Sequence, residues 1–273
     1  MYEEPYRWVE AVGNRRTYLD EQFKQGSPVV ALTYDGGLAL VTVSKGTPKL
    51  YEIYDRIALG GLGHPADLEK LRFSLLEMAH TEGFNRSPSD VTGSRLVKYG
   101  MAPVIKQAFE EVYKAPFILK VLLAELGQKP EKDTLLTINY DGTFEETTGC
   151  AVLAATPAVQ KEMTSYLHQE MSSGLSLAQA VATALRAWAL GDRAQRQASE
   201  DKERGDEKPT PAAKPASLDA ASLSAHLRDR VVEKTIECAV LDRNQPGTSK
   251  YRALNQDELG RLLPNNLKAA LAS

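Results

Sequence analysis

Cysteine is nearly missing from this sequence. Cys150 and Cys238 are the only two in 273 residues, and each lies inside an apolar run, TTGCAVLAA and TIECAVLD. No C-x-x-C pair exists, so the pattern predicts two small buried residues of a reduced protein and leaves a single disulfide open without implying it. An excess of one charge is missing too: 33 Lys and Arg against 36 Asp and Glu give a net charge of −3. Without a concentrated basic surface, neither nucleic acid nor an anionic membrane is an expected partner. No apolar run reaches the roughly 18 residues of a membrane span, and the opening MYEEPYRWVE lacks the basic and apolar regions of a secretory leader, so a cytoplasmic location is expected. P-loop and H-E-x-x-H motifs are absent, and the four histidines (His64, His80, His168, His226) are scattered. No pair of carboxylates stands in an apolar setting that would shift its pKa. No metal or cofactor is therefore expected.

What is present is core-forming material, 42% of the residues being hydrophobic. Residues 6–24 set Trp8, Val12, Leu19 and Phe23 on one stripe at helical spacing, which predicts an amphipathic first helix. Two apolar runs, Val29 to Leu32 and Leu38 to Val43, flank Tyr34-Asp35-Gly36-Gly37 and predict a β-hairpin. A third strand is expected over Lys49 to Leu59. Helices follow from Pro65 to Gly83 and from Ser87 to Lys114, the second bent by Pro103. Strands are then expected at Phe117 to Leu126, Thr134 to Tyr140, Thr143 to Thr147 and Cys150 to Ala155. Thr156-Pro157 opens a helix to Met171, and Ser176-Leu177-Ala178-Gln179 reads as a capping box for a helix to Leu190. From Asp192 to Pro215 large apolar side chains are almost absent, which predicts a disordered loop. A strand from Val231 to Leu241, another near Tyr251 to Leu254, and a helix capped by Asn255 complete the chain.

Gly61-Leu62-Gly63-His64-Pro65-Ala66 matches G-x-G-x-x-A after a strand, a dinucleotide-binding pattern. The helix after it leads into a second helix instead of a parallel strand, so close helix-to-sheet packing is the better reading of these glycines. Hairpins beside paired helices predict an α+β fold in one domain over 1–273: a four-layer αββα sandwich of two antiparallel sheets flanked by helix pairs.

The runs SPVVALTYDGGLALVTV, KLYEIYDRIALGGLGHPAD and CAVLDRN, with Asp90 to Gly93 as D-V-T-G, resemble α-type subunits of the 20S proteasome, the bacterial forms above all. This resemblance implies the N-terminal nucleophile hydrolase fold and a choice between two subunit kinds. Catalytic β-type subunits begin, after self-cleavage, with a nucleophile whose own α-amine is the general base. Ser27 occupies that position here, yet Pro28 follows it, Val43 stands where the orienting acid would be, and the stretch carrying the helper lysine is largely deleted. The resemblance therefore implies a non-catalytic subunit of a homo-oligomeric, seven-membered outer ring that covers proteasome β-type subunits, admits unfolded polypeptide and docks a ring ATPase or other activator. It assigns Met1, Tyr2, Glu3, Glu4 and Pro5 to a pore gate, Trp8, Val12, Leu19 and Phe23 to the contact with the next ring subunit, and Lys49, Gly26 and His64 to a pocket for the activator's C-terminus. The alternatives are an autoprocessed serine hydrolase using Ser27, or a stand-alone ring or adaptor protein.

Overall fold

The computed structural model describes residues 4–111, 113–172, 174–203, 220–231 and 234–263. Chain order is α1 (Glu4–Phe23), β1 (Val29–Tyr34), β2 (Gly37–Ser44), β3 (Leu50–Tyr54), β4 (Ile57–Gly63), α2 (Pro65–Asn85), α3 (Gly93–Arg95), a π-helical turn (Leu96–Met101) and α4 (Ala102–Glu110). It continues with β5 (Leu119–Glu125), β6 (Thr134–Ile138), β7 (Phe144–Thr147), β8 (Cys150–Leu153), α5 (Pro157–Glu170), α6 (Leu177–Glu203), α7 (Ala220–Val231), β9 (Thr235–Asp242), β10 (Tyr251–Ala253) and α8 (Gln256–Leu262).

Two antiparallel five-stranded sheets result, in the orders β10-β9-β2-β1-β8 and β3-β4-β5-β6-β7. Strand periodicity of two sorts their side chains between layers. Val30 and Leu32 of β1, with Ala39, Val41 and Val43 of β2, meet Met163, Leu185 and Trp188 of α5 and α6. The alternate residues Val29, Ala31, Leu38 and Leu40 meet Leu122, Ala124 and Leu135 of the other sheet. On that sheet's far face, Leu119, Val121 and Leu123 pack on Leu68, Leu71 and Leu75 of α2 and Ile105 of α4. This is the expected four-layer αββα sandwich.

The hairpin turn lies at Asp35-Gly36, with Tyr34 paired to Gly37. The Ser176 capping box is formed: the Ser176 amide donates to Gln179 Oε1 at 3.0 Å and the Gln179 amide to Ser176 Oγ at 3.4 Å. At Pro103 the helix widens into the π-helical turn just before it, because proline supplies no amide hydrogen to the preceding turn. The glycines of the G-x-G-x-x-A run serve packing. A Cβ on Gly61 would stand 2.4 Å from Leu68 Cδ1 of α2, and one on Gly63, whose φ is +140°, would stand 2.1 Å from the Ile118 carbonyl oxygen of β5's approach.

Three expectations need correction. The single strand over Lys49 to Leu59 is a hairpin, β3 and β4, turning at Asp55-Arg56. The Asp192–Pro215 loop is helical as far as Glu203, because the buried polar side chains of Asp192 and Gln195 find hydrogen-bond partners and hold α6 against the protein; residues 204–219 lie outside the described residues. Val231 ends α7 instead of opening a strand, since Leu223, Leu227 and Val231 form an apolar face on the α6 side of the core.

Candidate functional site

At one end of the sandwich the chain passes from α1 into β1 through Lys24 to Pro28, and several of the polar groups of this crossing are engaged by other parts of the fold. The Gly26 amide donates to the Phe23 carbonyl at 2.8 Å, closing α1. Gln195 of α6 donates its Nε2 to the Gly26 carbonyl at 2.8 Å and accepts the Ala155 amide at 3.1 Å, so one buried side chain joins two segments. Thr42 Oγ1 donates to the Pro28 carbonyl at 2.7 Å. Ser27 Oγ donates to the Val43 carbonyl at 2.5 Å and accepts from Trp188 Nε1 at 2.9 Å.

That arrangement decides what Ser27 can do. An N-terminal nucleophile needs a base to take its proton and a free α-amine to serve as that base. Here the proton points at a carbonyl, which is no base at neutral pH, and the nitrogen of Ser27 is an amide joined to Gly26. No carboxylate or imidazole is among the hydroxyl's hydrogen-bond partners in the described residues. Ser27 is a structural hydroxyl.

Lys49 stands beside it. Its Nζ donates to the Ser27 carbonyl at 3.4 Å, and its backbone amide donates to Glu237 Oε2 of β9 at 2.8 Å. Burial lowers the Lys49 pKa to about 8; Glu237 opposes that fall and Lys234 adds to it. The Lys49 carbonyl accepts the Gly61 amide at 3.0 Å, which ties the lysine to β4. Gly26 packs on Leu62 of the same strand so closely that a Cβ would come to 3.0 Å from Leu62 Cδ2. The fold therefore brings Gly26 and Lys49 to one corner around Ser27, and β4 delivers His64 to the start of α2. His64 is exposed there, its Nδ1 accepting the Ala66 amide at 3.2 Å as the helix N-cap.

The four residues assigned to the ring contact separate. Leu19 and Phe23 are 0% exposed within their own chain, in the core between the sheets, where Phe23 stacks on Tyr140 at 5.7 Å. This corrects their assignment to a neighbour contact: central-core burial leaves them no surface to offer. Val12 is half-buried against the same core, while Trp8 is 48% exposed, with Val9 beside it at 64%. Arg15 of α1 anchors the helix by donating to the Ala108, Phe109 and Glu111 carbonyls at 2.9, 3.0 and 2.8 Å, the free carbonyl end of α4. Of the gate segment, Met1, Tyr2 and Glu3 lie outside the described residues, and Glu4 and Pro5 belong to the first turn of α1.

Sequence reasoning missed Trp188 and Gln195, which hold the crossing, and Asp192, which holds α7. Asp192 accepts from His226 Nε2 and Arg230 Nε, both at 2.9 Å, and pairs with Arg196 at 3.2 Å. Burial alone would raise its pKa, but the hydrogen bonds from His226 and Arg230 outweigh burial and hold the carboxyl well below the usual carboxylate range. The one available signal was a carboxylate in the register of buried Ala184 and Trp188 on α6. Cys150 and Cys238 are free and buried, and burial pushes the Cys238 thiol up to about 12. Among the described residues no helix is long and apolar enough to cross a membrane.

A family model described as "Proteasome subunit" matches residues 23–199. Among curated proteins, the chain is 30% identical over 253 residues to a proteasome subunit alpha of Actinosynnema mirum, covering 92% of this chain and 83% of that one. It is 26% identical over 256 residues to the proteasome subunit alpha of Streptomyces scabiei, covering 93% and 89%, and 32% identical over 175 residues to that of Saccharopolyspora erythraea, covering 63% and 66%. With two five-stranded sheets between helix layers and a serine without a base where a nucleophile would stand, the chain belongs to the proteasome subunit family, as a non-catalytic α-type subunit of the bacterial kind.

Proposed function

We propose that copies of this chain form the outer, seven-membered ring of a cytoplasmic proteasome, that the ring stacks on proteasome β-type subunits, and that it admits unfolded polypeptide to their chamber. The observation that carries this reading is the Ser27 corner. A hydroxyl held by Val43 and Trp188 contributes architecture, and the ammonium of Lys49 beside it is the group left to meet a partner. The residues from Met1 to Pro5 form the gate in this reading, and Trp8 with Val12 forms the apolar part of the contact between neighbours.

Lys49, with Gly26 and His64 around it, receives the C-terminal carboxylate of a ring ATPase or similar activator. Partial burial supports this role, because an ammonium with little water gains more from a carboxylate than a solvated one does, about 1.5–3 kcal/mol for a charge-assisted bond. Lys49→Ala is then expected to weaken activator docking roughly 10- to 100-fold. Neither nucleic acid nor membrane has a part in this function.

The test of assembly is negative-stain imaging of the chain purified alone and co-expressed with a proteasome β-type subunit. A stacked cylinder with the β subunit is the expected image. Rings of this chain that never join the β subunit would favour a stand-alone adaptor, and a mature chain beginning at Ser27 by intact mass would favour an autoprocessed hydrolase.

A further inference from the structure

Lys120 is a buried cation with no carboxylate of the described residues in contact. It lies on β5 opposite Leu62, in the register of Leu122 and Ala124, whose side chains fill the core between the sheets. It is 5% exposed. Its Nζ donates to the Ala154 and Ala155 carbonyls at 3.0 and 2.9 Å and stands 5.0 Å from the centre of the Phe23 ring. Carbonyls and a ring face stabilise an ammonium only in part, and no carboxylate of the described residues forms a salt bridge with it; Asp20 and Asp141 act on it from farther away. Asp20 accepts from the Tyr140 hydroxyl at 3.2 Å and Asp141 from the amide and hydroxyl of Thr143; these neutral donors leave both carboxylates charged, but neither forms a salt bridge with Lys120.

This lysine also lines a cavity of about 290 Å³ between the β6–β7 turn and the start of α5. Pro157 and Gln160 of the first turn of α5 form one wall; Pro157 has no amide hydrogen and the Val159 and Gln160 amides are taken by Thr156 Oγ1 and the Thr156 carbonyl, so this end offers the cavity its dipole and not free backbone donors. Asn139 and Gln160 add side-chain amides; the Asn139 oxygen accepts the Tyr140 amide at 3.0 Å, which leaves its NH2 group as a donor. The one acidic side chain among the cavity-lining residues is Glu145, which is exposed.

We propose that this cavity is a binding site for a small oxyanion, a phosphate or carboxylate group, that completes the charge balance of Lys120. A buried ammonium, the dipole of a helix N-terminus and two side-chain amides around one space suit such an anion. Burial lowers the Lys120 pKa to about 8 against the opposing pull of Asp20 and Asp141, and an anion in the cavity would raise it. The carboxylate of Glu145 in the same lining repels an anion and weakens its binding. Lys49 is not among the residues that line this site.

The test follows the linewidth of inorganic phosphate by phosphorus-31 NMR as the full-length protein is added at pH 7 and constant ionic strength, with acetate as competitor. Saturable broadening is expected with wild-type protein, at least tenfold weaker binding with Lys120→Met, and binding tightened a few-fold with Glu145→Gln. Displacement by acetate shows that the site takes carboxylates as well as phosphate, and lack of displacement restricts it to phosphate. Absence of broadening by wild-type protein, or equal broadening by wild-type and Lys120→Met protein, overturns the proposal. Should Lys120→Met fail to fold, the surface variant Glu145→Gln decides: tightening supports the site, and unchanged binding overturns it.

Discussion

Ser27 and Lys120 stand at the same end of the sandwich, both near the point where α1 meets the sheets, and their surroundings answer two different polar groups in two different ways. Ser27 finds a carbonyl acceptor in Val43 and an indole donor in Trp188, so both capacities of its hydroxyl are met inside the chain. Lys120 finds two carbonyls and an aromatic face, which serve its hydrogens but do not cancel its charge. A neutral polar group can be satisfied completely by a fold and then becomes part of it. A charge whose direct contacts are all neutral, with carboxylates acting only from farther away, keeps an electrostatic demand that an outside partner can meet.

The sharpest way to break the Ser27 side of this comparison is Trp188→Ala. Trp188 is 0% exposed and is both the core of the α6 face and the donor to Ser27, so about 3–5 kcal/mol of stability is expected to be lost in urea unfolding. A loss below about 1 kcal/mol would show that α6 does not hold the crossing. Asp192→Ala removes the charge that collects His226, Arg230 and Arg196, and is expected to cost about 2–3 kcal/mol, less than a fully buried pair because the arginines keep a route to water. Hydrogen exchange should show the loss concentrated in α7.

Ser27→Ala leaves the Trp188 N–H and the Val43 carbonyl without their partner, for a cost of about 1–3 kcal/mol. A neutral effect would mean that the hydroxyl is dispensable to the fold. The Lys120 side is sharpened by pH. Lys49 and Lys120 both lose their protons near pH 8 in the folded chain, below the ordinary lysine value of 10.5, so between those values the unfolded chain binds more protons. Stability contributed by the two lysines therefore rises from about pH 8 toward 10.5, by at most about 1.4 kcal/mol per pH unit for each. Thermal melts of wild-type and Lys120→Met protein over that range are expected to show a shallower rise in the variant, and parallel curves would remove Lys120 from the account.

The layers of this fold were legible because they rest on local patterns: alternation in β1 and β2, the Asp35-Gly36 turn, the Ser176 and Asn255 caps, and the helical stripe of α1. What escaped depends on partners distant in sequence. Asp192 and Gln195 look solvated in an isolated stretch of polar residues, and only His226, Arg230, Gly26 and Ala155 make them helix anchors. The stripe on α1 gave its helix correctly but could not say which cover lay over it; Leu19 and Phe23 turned out to be covered by their own chain and Trp8 to be open. Of the candidate site, the placement of Ser27 and Lys49 and the missing base beside Ser27 came from the pattern of the α-type family, whereas the bond that holds the hydroxyl, from Trp188 161 residues away, has no trace in either local sequence.

The central claim is that the hydroxyl of Ser27 belongs to the scaffold and takes no part in proteolysis. It is tested most directly by assembling this chain with a proteasome β-type subunit and measuring hydrolysis of a fluorogenic peptide by equal amounts of complex carrying Ser27 or Ser27→Ala. Equal rates are predicted. A loss of hydrolysis in the alanine complex with its β subunits intact would contradict the account.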